Sequence, residues 1–127
     1  MSNKIFSAWG AGGISHNINL KERWYHVVIT HKIDVVNNKY KFNFYVDGSH
    51  IGVINTDIPY STSYGPDSAL TIGKYWKGLI DEVLVFNESL SSSQIKQNYI
   101  AGLNSMFANG NISKQEYNER INNLSIK

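Results

Sequence analysis

The stretch Tyr40-Lys41-Phe42-Asn43-Phe44-Tyr45-Val46-Asp47-Gly48 alternates apolar and polar residues and then stops at an Asp-Gly pair. At the two-residue period of a β-strand, Tyr40, Phe42, Phe44 and Val46 share one face, and Lys41, Asn43, Tyr45 and Asp47 share the other. The first face reads as core and the second as wet. Asp and Gly tolerate the positive φ of a tight hairpin turn, and Ile51-Gly52-Val53-Ile54 follows as the returning strand. This hairpin makes the chain mainly antiparallel β.

Outward from the hairpin, Trp24-Tyr25-His26-Val27-Val28-Ile29-Thr30 has the β-branched and aromatic residues that strands prefer, with both faces partly apolar, as suits a central strand. Residues 4–18 mix Ile5, Phe6, Trp9, Ile14 and Ile18 with Gly10, Gly12 and Gly13, which reads as two short strands around a flexible turn. Residues 55–68 hold both prolines and form a long surface connection. Short strands are expected at Leu70-Thr71-Ile72 and from Leu79 to Phe86. The expected core is Trp24, Val28, Phe42, Phe44, Val46, Ile72, Val83 and Val85.

From Leu90 the period changes. Ser91 and Gln94 have capping-box spacing, and Leu90 and Ile95 stand where a hydrophobic staple would. Ile95, Tyr99, Leu103 and Met106 then form one helical stripe, which Gly110 is suited to end. The same device recurs at Ser113 and Glu116, flanked by Ile112 and Tyr117 and followed by Ile121 and Leu124. Two amphipathic helices in succession imply a helical hairpin.

At 127 residues the chain suits one domain with an appendage. The net charge of +2 comes from scattered lysines, and Arg23 and Arg120 are the two arginines, which argues against nucleic acid. Cysteine is absent, which excludes disulfides and Cys-containing zinc sites. The N-terminal run Ile5-Phe6-Ser7-Ala8-Trp9-Gly10 is too broken for a signal-peptide core and too short for a membrane span. His16, His26, His31 and His50 lack metal-ligand spacing, and His26 reads as a packed, hydrogen-bonded histidine.

Trp24-Tyr25-His26-Val27-Val28, Phe44-Tyr45-Val46-Asp47-Gly48, Leu70-Thr71-Ile72-Gly73, Gly78-Leu79-Ile80-Asp81-Glu82-Val83 and Leu90-Ser91-Ser92-Ser93-Gln94-Ile95 occur in order and at sensible spacing. Together they make residues 24–103 resemble the later part of the laminin-G-like, concanavalin-A-like lectin and glucanase superfamily. The resemblance implies an antiparallel jelly-roll-type β-sandwich over residues 1–90, followed by a helical tail over residues 91–127. Members carry further strands before the equivalent of Trp24, and an open sandwich would leave unpaired edges. The sandwich is therefore expected to be incomplete, and to be completed by a larger chain or an oligomer.

The resemblance also frames the chemistry. Some relatives hydrolyse glycans with paired carboxylates. Asp81 and Glu82, adjacent on a strand, would point to opposite faces, so no enzyme is expected. Relatives also bind calcium through loop oxygens; Asp47, Asp57 and Asp67 lie in loops but in no calcium-loop pattern, so no cofactor is expected beyond calcium as an option. Tyr60, Tyr64, Asp67, Tyr75 and Trp76 form the candidate ligand surface, since aromatic rings stack on sugar faces and a carboxylate reads hydroxyls. Trp76 has an equal second reading, as a seal on the sandwich rim.

In related sequences the position of Leu84 is often charged, so an apolar face of Ile80, Leu84 and Phe86 is expected to be covered by the helical stripes. The function expected is a non-catalytic carbohydrate-binding or adhesive module, extracellular or at the cell surface, with a glycan or protein partner. The other reading is a structural subunit of a multi-chain assembly.

Overall fold

The computed structural model describes residues 22–57, 72–73 and 76–125. Three strands, β1 (Val27–Asp34), β2 (Lys39–Val46) and β3 (Ser49–Asp57), precede two helices, α1 (Ser92–Ala108) and α2 (Lys114–Ser125). The strands form one antiparallel sheet in the order β1-β2-β3.

The hairpin forms as its alternation and turn residues require. Val46 pairs with Ser49, and between them Asp47 and Gly48 take φ values of 49° and 76°. Positive φ at both central residues matches the right-handed twist of the flanking strands. At the other end Asp34 closes the β1–β2 loop by accepting from Asn37, through the backbone N–H at 3.1 Å and through Nδ2 at 2.8 Å. The Asn37 bonds hold the Asp34 carboxyl below its usual pKa.

Register decides the two faces. Phe44 pairs with Ile29 and Phe42 with His31, and Phe44 is fully buried, with Val46, Tyr25, Phe42, Ile51 and Ile54 in the same cluster. The opposite face departs from its expected wetness, since Tyr45 and Thr30 are both buried. Tyr45 sits edge-on to His50 at 5.1 Å, close to the turn. A shift in register between Phe44 and Tyr45 carries this face past the simple alternation.

The expected core holds at Phe44 and Val46, and Phe42 and Val28 are half-buried. It fails at Trp24, Ile72, Val83 and Val85, all exposed. For Val83 and Val85 the reason is local. Glu82 adopts a φ of 51° and donates its backbone N–H to Asp81 Oδ1 at 2.8 Å, which interrupts the extended alternation. Residues 79–86 thus lie outside the three-stranded sheet. Ser89 Oγ donates to the carbonyl of His31, which ties the end of this segment to β1. The expected strand at Leu70-Thr71-Ile72 lies outside the described residues except for Ile72, which is in a bend.

Both helix starts follow their capping residues. Ser91 Oγ accepts from the Gln94 N–H at 3.2 Å, and Gln94 Oε1 accepts from the Ser91 N–H at 2.8 Å. Gly110, at φ 73°, ends α1 with its N–H on the Phe107 carbonyl. Ser113 Oγ likewise accepts from the Glu116 N–H at 3.1 Å, but the Glu116 carboxylate turns instead to Arg120 Nη2 at 2.7 Å.

The helices bury their stripes on each other. Tyr99, Leu103, Ile112 and Leu124 form one cluster, with Ile100, Met106, Tyr117 and Ile121 packed against it. Their point of contact with the sheet corrects the expected one: Ile80, Leu84 and Phe86 are exposed, and the helices sit instead on the β2–β3 turn. A Cβ built on Gly48 would lie 3.0 Å from both Leu124 Cδ2 and Tyr99 Cδ1. Gly48 serves the turn's φ and the helices' close approach at once.

Candidate functional site

Of the five residues expected to bind a ligand, Tyr60, Tyr64, Asp67 and Tyr75 lie outside the described residues. Trp76 is described. Its backbone N–H donates to the carbonyl of Gly73, which has φ 77°, at 2.8 Å. A Cβ on Gly78 would lie 2.9 Å from the indole Nε1, so the ring rests against the bare backbone of Gly78. Trp76 nevertheless stays 47% exposed. An indole held by its own loop and open on the remaining surface is a platform on which an apolar ring face can stack.

A second cluster, where the helices meet the sheet, has no counterpart in the sequence-based expectations. Asp47 stands at its centre: Oδ1 accepts from the His26 N–H at 3.0 Å, Oδ2 accepts from Arg23 Nη2 at 2.8 Å, and the Asp47 N–H donates to the His26 carbonyl at 2.8 Å. The Arg23 guanidinium also lies 4.5 Å above the Tyr25 ring. From α1, Tyr99 stacks on the His26 ring at 5.9 Å. From α2, Arg120 bonds Glu116 and also donates through Nη1 to the Trp24 carbonyl at 3.2 Å.

Burial shapes the electrostatics of this junction. Arg120 is only 5% exposed, and both Arg120 Nε and His26 Nδ1 are buried without a hydrogen-bond partner among the described residues. His26 is therefore packed as expected, but its bonds run through the backbone rather than through Nδ1. Burial lowers the His26 pKa, against a smaller opposing pull from Asp47. Burial raises that of Tyr99, with Asp47 adding to the effect and Arg120 opposing it. The available sequence signal was that Arg23 and Arg120 are the chain's two arginines, and both are engaged here.

The other polar candidates are dispersed. Among the described residues no three His, Asp or Glu side chains converge on one point. Asp57 is the last residue of β3 rather than part of a loop, and Asp47 precedes the other end of that strand, roughly 25–30 Å away at the rise of a strand. Asp57 pairs with Lys39, and Asp67 and His16 lie outside the described residues. His31 stacks on Phe42 at 4.6 Å, and His50 Nε2 is 3.1 Å from Asn43 Oδ1. Asp81 holds the adjacent Glu82 N–H. No described helix is long and apolar enough to cross a membrane.

Among solved structures, an S-layer domain-containing protein from Clostridium thermocellum is similar to this chain at 26% identity and a TM-score of 0.43. The match covers 69% of this chain and 46% of that one, so the chain spans about half the length of that relative. No curated protein matches. A laminin G family model, described as the Concanavalin A-like lectin/glucanases superfamily, matches residues 2–96. The matched stretch starts well before Trp24, so the likeness is not confined to the later part of the domain, and it ends at Lys96 in the first turns of α1. With the hairpin, its tight turn and the capped helix in that stretch, the chain belongs to the concanavalin A-like lectin/glucanase superfamily.

Proposed function

We propose that this chain is a non-catalytic carbohydrate-binding or adhesive module of a surface or secreted protein. In this reading residues 1–90 build a jelly-roll-type sandwich, residues 91–127 add a helical hairpin, and Tyr60, Tyr64, Asp67, Tyr75 and Trp76 form the ligand surface. The observation that carries it is Trp76, an indole seated on Gly78 yet 47% exposed. Superfamily membership supports the fold directly and the ligand class by analogy. Glycan-array screening followed by calorimetric titration tests the reading. Binding that Trp76→Ala weakens at least about tenfold, or about 1.4 kcal/mol, is expected. No binding to any glycan or intact polysaccharide at millimolar concentration would end it.

A second reading, a structural subunit of a multi-chain assembly, is favoured by the exposed apolar run Val83, Leu84, Val85 and Phe86 and by the exposed Ile29 and Ile33 of β1. Exposed apolar side chains in such number are the raw material of interaction sites. Sedimentation at micromolar concentration separates the readings, since a monomer at all concentrations removes the second.

A further inference from the structure

The junction between helices and sheet holds two arginines and two carboxylates, each carboxylate already engaged. Asp47 gives one oxygen to Arg23 and the other to the His26 backbone, and Glu116 bonds Arg120. Formal charge at the junction is balanced. The His26 ring lies among these groups, stacked on Tyr99 of α1, with Nδ1 buried and unpartnered among the described residues. The titratable and charged groups of the junction are Arg23 and Tyr25 from the segment leading into β1, Asp47 from the turn, Tyr99 from α1, and Glu116 and Arg120 from α2; of these Tyr99 and Asp47 act on His26 directly.

The geometry points to a proton-sensitive latch: protonating His26 loosens the seating of α1 and α2 on the Asp47–Gly48 turn. In the neutral ring, Nδ1 is at most an acceptor left unpaired. In the imidazolium both ring nitrogens carry protons. Nδ1–H would then be a buried charged donor with no acceptor among the described residues, and its burial outweighs the pull of Asp47. Leaving a buried charged group unpaired costs more than leaving a neutral one.

The direction agrees with burial, which holds the docked imidazole below its ordinary value of 6.5. The undocked state therefore binds more protons. Docking stability is complete above about pH 6.5, falls as the pH drops through that value, and levels off below the docked pKa. Each unit separating the two pKa values raises the undocked population tenfold at full protonation.

Imidazole NMR of the intact chain, with amide exchange corrected for intrinsic pH dependence, tests the latch between pH 7.5 and 5. His26 is expected to titrate below 6.5, and protection of Ile121 and Leu124 is expected to fall relative to that of Phe44 and Tyr45 in β2. In His26→Phe, which keeps an aromatic ring against Tyr99 and cannot take a proton, the relative protection should stay level. A His26 midpoint at or above 6.5 would overturn the latch, as would equal loss of protection in α2 and β2. If His26→Phe does not fold, the wild-type midpoint and the α2-to-β2 comparison decide by themselves.

Discussion

Arg120, in α2, donates from Nη1 to the carbonyl oxygen of Trp24 at 3.2 Å, joining positions 96 residues apart. The guanidinium is almost wholly buried, and its other arm holds Glu116. This bond ties the last helix to the entrance of the first strand. Arg120→Ala should cost about 2–4 kcal/mol in urea unfolding, since it removes a buried side chain and leaves the Trp24 carbonyl without its donor. Glu116→Gln should cost less, about 1–2 kcal/mol, because the amide oxygen can still accept from Nη2 while the buried guanidinium loses its anionic partner. Equal losses from the two substitutions would show that the Trp24 tie adds nothing.

Gly48 tests the docking of the helices on the turn. Gly48→Ala meets a φ of 76°, which costs an L-residue about 1–2 kcal/mol, and it also places a methyl 3.0 Å from Leu124 and Tyr99. The combined loss should reach about 2–3 kcal/mol. In a Leu124→Ala background the penalty of Gly48→Ala should shrink by at least about 0.5 kcal/mol, since contacting residues couple. Simple additivity in that cycle would place the helices away from the turn.

Phe44 and Val85 were expected in the same core, yet the structure separates them. Phe44→Ala should cost about 3–5 kcal/mol, as befits a fully buried phenyl ring. Val85→Ser, at a position 78% exposed, should change stability by no more than about 0.5 kcal/mol. Chemical unfolding of both variants checks the pair, and a large loss at Val85 would restore the last strand to the core.

The two helix caps should differ in strength. Ser91→Ala removes a reciprocal box and should cost about 1–2 kcal/mol. Ser113→Ala should cost nearer 0.5 kcal/mol, because Glu116 answers to Arg120 rather than to the cap. Thermal melts of the two single variants would settle their order.

What the sequence determined by itself was local. Strict alternation across Tyr40 to Val46, an Asp-Gly pair able to take positive φ, and Ser-x-x-Gln before an apolar stripe each act within a few residues of chain, so the β2–β3 hairpin and both helices were legible. Tertiary structure decided which apolar surfaces meet. Val83 and Leu84 read as a two-sided buried strand, but the positive φ of Glu82 and its bond to Asp81 take that segment out of the sheet. The helical stripes could have met any apolar face; they meet at Gly48, where the missing side chain allows close approach. Arg23, His26, Asp47, Tyr99 and Arg120 carry no spacing signal, because their association depends on the distance between a turn, a strand entrance and two helices, which no local pattern records.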